Sequence, residues 1–162
     1  MTLTVFVLAL VTFQRLAELA IARRNTRRLL ARGAVETGAD HYPAIVLLHA
    51  AWLLGLWVLG WDKPINVALL AIFVLLQAGR IWVIATLGGR WTTRIITLPG
   101  QPLVQKGPFR FVSHPNYLVV AGEILILPLA LGLVAFAVIF TVANAAMMWV
   151  RIRAERRALA AV

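Results

Sequence analysis

The chain has 162 residues, of which 62% are hydrophobic and 14% charged, and its mean hydropathy is +0.87. That excludes a soluble globular domain, whose composition is far less apolar. The net charge of +10 comes from 16 Lys and Arg against 6 Asp and Glu; a nucleic-acid binder would not also carry several long uncharged runs, so the excess reads as membrane topology.

A helix needs about 20 apolar residues to cross about 30 Å of hydrocarbon. Met1 to Ile21 is the first such stretch. It has no basic leader and no small-residue cleavage site, so it reads as a membrane anchor and not a signal peptide. Arg23, Arg24, Arg27, Arg28 and Arg32, with Leu29 and Leu30, follow it and read as an interfacial helix held by anionic lipid. Pro43 to Trp61 and Pro64 to Leu87 are the second and third spans. The connection from Gly88 to His114 is long and rich in Gly and Pro. Tyr117 to Val150 is too long for one crossing, and Pro128 and Gly132 near its middle suit a turn between two. The sequence therefore predicts one all-α domain over residues 1–162, an integral membrane bundle of five transmembrane helices whose last two form a tight hairpin.

Lys and Arg in short loops mark the cytoplasmic side. The segment after span one, the long connection and the tail together hold 13 of the 16, Arg15 and Arg80 lie inside spans, and Lys63 stands alone on the opposite side. Five crossings with the N-terminus outside and the C-terminus cytoplasmic satisfy every loop.

Polar groups inside spans are costly and usually face the bundle or a water-filled cavity. Gln14, Arg15, Glu18, His49, Gln77, Arg80 and Asn144 all fall toward the inner leaflet, with Glu123 nearer mid-depth. This predicts a polar chamber open to the cytoplasm beneath a lipid-like interior. Each residue also has a plainer explanation: Arg15 and Glu18 neutralise each other three apart, His49 is a hydrogen-bonded packing residue, and Arg80 snorkels to the head groups. Trp61 and Trp91, at span ends, fit an interfacial belt. With no cysteine and three scattered histidines, no metal site is expected.

Residues 98–117 hold four prolines and two glycines, so much of this stretch cannot be helix, and its unpaired main-chain groups offer a small polar molecule a place to bind. In the tail, Arg151 and Glu155 stand four apart on one helix face, as a functional pair or a surface ion pair.

The string GPFRFVSHPNY, then an apolar hairpin, then RIRAE, resembles the isoprenylcysteine carboxyl methyltransferase family of integral-membrane methyltransferases. Gly107-Pro108, His114-Pro115, Tyr117, Arg151 and Glu155 match together, and the resemblance covers Gly79 to Leu159, the expected catalytic part. The earlier part (FQRLAELAIARRN, then GAVETGADHYPAIVLLHAAW) is similar to a bacterial subgroup that O-methylates long-chain alkylpyrones and related polyketides. The resemblance implies S-adenosylmethionine as cofactor, held by Gln101, Pro102, Leu103, Val104, Phe109, His114, Pro115, Asn116, Tyr117 and Glu155. It implies a catalytic role for Arg151, facing the acceptor, with His114 either a base or a structural residue. Gln101 stands where prenylcysteine enzymes have histidine, Phe109 where they have tyrosine, Ser113 where they have arginine and Arg156 where a second acid is usual, all pointing away from a prenylcysteine acceptor.

Methyl transfer to an anionic oxygen is an in-line displacement in which positioning supplies much of the catalysis, and an ionised carboxylate or enol needs no general base. The leading expectation is a membrane O-methyltransferase, active site facing the cytoplasm, acting on a lipophilic acidic acceptor amid membrane lipid, with no nucleic acid or metal partner. A prenylcysteine or fatty carboxylate acceptor, a reductase of the distantly similar sterol-reductase fold and a non-enzymatic carrier remain the alternatives.

Overall fold

The computed structural model describes residues 2–160. Met1, which the sequence reading includes in the first span, and Ala161 and Val162, which it includes in the domain, lie outside the described residues. The fold is all-α apart from two three-residue strands. Its helices are α1 (Thr2–Leu30), α2 (Tyr42–Gly60), α3 (Val67–Leu87), α4 (Pro115–Ala130) and α5 (Val134–Ala160). Helices α1, α2, α3 and α5 are long and apolar enough to cross a membrane. Helix α4 is apolar but has 16 residues, a length of about 24 Å.

The last two helices form the expected hairpin. Helix α4 ends in a Schellman turn, with Gly132 at φ +72° and the Leu133 and Gly132 N–H groups donating to Pro128 and Leu129 carbonyls at 2.9 and 3.0 Å. Two features depart from expectation. The basic segment is not a separate interfacial helix: α1 runs on unbroken to Leu30, and its buried Asn25 donates to the Gly88 and Trp91 carbonyls at 3.1 and 2.8 Å. The long connection also contains a strand, β2 (Ile95–Thr97), pairing antiparallel with β1 (Val35–Thr37) so that Val35 faces Thr97. Three-residue strands have too little alternation to announce themselves.

The outer surface is as apolar as the interior. Phe13, Leu47 and Leu75 are each 70% or more exposed, as suits side chains that meet lipid tails. The core is small: Leu8, Val11, Trp52, Leu56, Phe73, Ile124 and Leu127 pack where α1, α2, α3 and α4 converge.

Beside this core lies a charged network joining α1, α3 and α4. The Arg80 guanidinium donates to both Glu18 oxygens at 2.5 and 2.6 Å and to Glu123 at 3.0 Å. Arg15 bridges the same carboxylates at 3.0 and 2.7 Å. Gln14 donates to Glu18 and to Gln77, and Gln77 to Glu123, at 2.7 to 2.9 Å. Arg15 does neutralise Glu18, but within this larger assembly. Arg80 does not snorkel: it is 6% exposed and faces inward. The two charges of each sign cancel within the network, and Arg15, Glu18 and Arg80, with His49 and Asn144, line a cavity that is mostly apolar rather than the polar chamber expected at this depth. Breaking a buried ionic cluster leaves uncompensated charge, so Arg80→Ala should lower stability by about 3 to 5 kcal/mol. Reversible unfolding in mixed micelles measures this; a loss below about 1 kcal/mol would mean the network carries little.

Candidate functional site

The Gly- and Pro-rich connection is held in place by side chains binding its main chain. Arg94 pairs with Glu36 across the small sheet at 2.7 Å and lies over the Tyr42 ring at 4.4 Å. The Tyr42 hydroxyl is 2.9 Å from Thr93 Oγ1, and Arg151 Nη1 donates to the Thr93 carbonyl at 3.0 Å. Farther along, Arg90 donates to the Pro102 carbonyl at 3.0 Å. Gly107 has φ +59° and its Cα faces Thr86 so closely that a Cβ would collide with that side chain, which explains glycine there.

The chain then enters α4 with Pro115 in its first turn, where its missing N–H costs nothing. The His114 ring stacks on Tyr117, centroids 5.2 Å apart at 16°. The Tyr117 hydroxyl donates to Glu155 Oε2 at 3.0 Å and accepts from Arg151 Nε at 3.4 Å, and His114 Nδ1 lies 3.5 Å from the same Glu155 oxygen. Arg151 and Glu155 are therefore not a surface ion pair. Both are half-buried, and the Tyr117 hydroxyl links them.

Two cavities flank this constellation. The first, about 470 Å³, lies against the connection and is lined by Gln101, Pro102, Leu103, Phe109, His114, Pro115, Asn116, Tyr117, Arg151 and Glu155. These are all the sequence-predicted site residues except Val104, which is not among its lining. The second, about 300 Å³ and mostly apolar, lies within the bundle. Leu16 and Leu19 of α1, Ile45 and Val46 of α2, Val120 of α4 and Met147 and Met148 of α5 form its walls, and Arg15, Glu18 and Arg80 border it. Trp91, Thr92, Asn116, Tyr117 and Arg151 line both cavities.

Leu87, Arg90, Trp91, Thr92, Arg94 and Ser113 also line the first cavity and were missed as site residues. Trp91 is not part of an interfacial belt: it is 2% exposed and packs against Ala22 and Val83 at the junction. Its Nε1 and the Asn116 Oδ1 are buried without a hydrogen-bond partner among the described residues. Unpaired buried polar atoms are rare, and these two belong to residues shared by both cavities. Also among the described residues, no cluster of His, Cys, Asp or Glu is arranged to hold a metal ion.

Residues 69–161 match the isoprenylcysteine carboxyl methyltransferase family. The chain is 39% identical over 157 residues, 94% of each chain, to the uncharacterized protein YpbQ of Bacillus subtilis. It is 28% identical over 109 residues to an uncharacterized protein of Haemophilus influenzae, covering 64% of this chain and 63% of that one. No solved structure matches. The chain belongs to the isoprenylcysteine carboxyl methyltransferase family, and is a multi-pass membrane protein of a methyltransferase class.

Arg94, immediately before β2, ties the connection to Glu36 of β1, so Arg94→Ala should loosen the connection. Trypsin cleavage at Lys106 and Arg110, both exposed, should then rise several-fold in membrane vesicles; an unchanged rate would show that the main-chain ties suffice.

Proposed function

We propose that the protein is an S-adenosylmethionine-dependent O-methyltransferase that methylates an acidic oxygen, carboxylate or enol, of a lipophilic acceptor within the membrane. The observation that carries this is the meeting of a polar, loop-lined cavity and an apolar, bundle-lined cavity at Tyr117 and Arg151. Such a pair of spaces suits one charged soluble molecule and one greasy one.

The residues of the first cavity fit the cofactor. Glu155 offers a carboxylate to a cationic ligand, the Gln101 to Leu103 backbone offers main-chain groups, and Asn116 Oδ1 is a buried acceptor in need of a donor. When bound there, S-adenosylmethionine supplies an electrophilic methyl group on a sulfonium. Arg151 holds the anionic oxygen of the acceptor: Nε and Nη1 are engaged by Tyr117 and Thr93, and Nη2 has no partner among the described residues. A guanidinium so fixed orients an anion without needing to accept its proton. His114, stacked on Tyr117 and beside Glu155, is better suited to positioning these two than to acting as a base.

Leu16 is 62% and Val46 43% exposed, yet both line the apolar cavity. An acceptor dissolved in the bilayer therefore reaches Arg151 between α1 and α2. A long-chain alkylpyrone or related polyketide fits this route, and the resemblance of residues before Gly79 to the alkylpyrone subgroup favours it. A prenylated cysteine would fit the same apolar space and is the competing acceptor. In the bilayer the protein forms one domain over residues 1–162, its catalytic part about 79–159, with α4 as a fifth, short crossing. The N-terminus is outside, the C-terminus and site cytoplasmic, and the location the cytoplasmic (inner) membrane, because the basic loops gather at the ends of the helices that carry the site.

Transfer of a labelled methyl group by membranes to alkylpyrones, fatty acids and prenylated cysteines tests the function. Glu155→Gln and Arg151→Ala should each lower turnover by about a hundredfold or more, in keeping with the loss of a key positioning contact. Calorimetry should find cofactor binding weakened in the first and nearly intact in the second. Full activity in both variants would remove these residues from the site, and no transfer to any acceptor would overturn the activity itself.

A further inference from the structure

Besides the residues of the junction and the charged network members Arg15, Glu18 and Arg80, the apolar cavity carries two further polar side chains, His49 and Asn144. His49 lies seven residues beyond Tyr42 on α2, and Asn144 seven residues before Arg151 on α5. Tyr42 and Arg151 meet at Thr93, and Gly55 of α2 faces Phe136 of α5 at the other end, so the two helices run antiparallel. At 1.5 Å per residue, His49 and Asn144 each stand about 10 Å along their helices from the Thr93 junction, at a common level.

Both have unused hydrogen-bonding capacity. His49 Nδ1 lies 2.8 Å from the Ile45 carbonyl. A carbonyl only accepts, so Nδ1 carries the hydrogen and the neutral ring presents a lone pair at Nε2. Among the described residues nothing pairs with Nε2. The expected packing role of His49 is thus half of the account, because its second nitrogen is left over. Asn144 is 2% exposed, and the bond its side chain makes is to Met148 Sδ, at 3.0 Å. Sulfur is a weak acceptor, so most of the amide is unused whichever way it is turned. A cavity meant for a plain alkyl chain would carry leucine at both positions, because unpaired polar groups are costly in an apolar setting.

We propose that His49 and Asn144 form a second recognition point, selecting acceptors that carry a hydroxyl about 10 Å along the chain from the methylated oxygen. A hydroxyl donates to His49 Nε2 and accepts from the Asn144 amide, using both groups at once. This rests on the reading of the apolar cavity as the acceptor site, and it narrows the substrate class to hydroxylated lipophilic acids.

The test is binding, with no methyl donor present. Stearate and 10-hydroxystearate compete with a fluorescent fatty carboxylate for the full-length protein in micelles. The hydroxylated acid should bind about tenfold tighter, the scale of one well-made hydrogen bond. His49→Phe should bring the ratio to about one, while His49→Gln, which keeps an accepting oxygen, should retain part of the preference. Equal affinities in the unaltered protein, as expected if water alone occupies the point, would overturn the proposal. So would a preference that survives His49→Phe, or failure of both acids to displace the probe. A preserved preference without methyl transfer to any acceptor would count against the enzymatic activity and leave the recognition point standing.

Discussion

In a bilayer the hydrophobic effect does not press helices together, because lipid tails are as apolar as the side chains they would replace. What holds this bundle in register is the charged network in which Glu18 and Glu123 share Arg15 and Arg80. Its members come from α1, α3 and α4, and each carboxylate receives several donors. That geometry is directional where apolar packing is not. It sets the depth of α4 against α1 and α3, and α4 begins with His114, Asn116 and Tyr117 at or beside its first turn. The position of the site is inherited from the network two turns deeper in the membrane.

The same network separates two environments. Its charges are consumed internally, so the apolar cavity beside it can be bordered by Arg15, Glu18 and Arg80 without being strongly charged. The unspent polar groups lie elsewhere, at the junction and beneath it. There Tyr117 joins Arg151 to Glu155, and main-chain groups of the connection are exposed by prolines and glycines that prevent helix formation. The proposed reaction needs such a division, since its greasy acceptor and its charged donor must meet at one point while each stays in a compatible medium.

Much of this was legible in the sequence, for identifiable reasons. Span limits follow from length and apolarity, so Pro43 to Trp61 was read almost as α2 forms, and Pro128 and Gly132 marked the hairpin because their backbone chemistry is local. Arg151, Glu155, His114 and Tyr117 could be read from the family pattern, and the structure brings them together through the Tyr117 ring and hydroxyl and the Glu155 carboxylate. What was not legible depends on distance in the chain. Glu18 and Arg80 lie 62 residues apart, and depth alone did not say that these charges pair with one another or that the cavity they border is mostly apolar. Trp91 looks like any tryptophan at a span end, and only the packing of α1's extension against the connection reveals that it is buried. With apolar residues facing both core and lipid, no helix has a face whose sequence says which way it points, so the cavity walls could not be assigned before the fold was seen.

The central claim is that donor and acceptor occupy different cavities and meet at Tyr117 and Arg151. An experimental structure of the protein with S-adenosylhomocysteine and a long-chain carboxylate tests it most directly. The account predicts the nucleoside within the space bounded by Gln101, His114 and Glu155, and the alkyl chain among Leu19, Ile45 and Met147, with the carboxylate at Arg151. Both ligands in one cavity, or the carboxylate remote from Arg151, would contradict it.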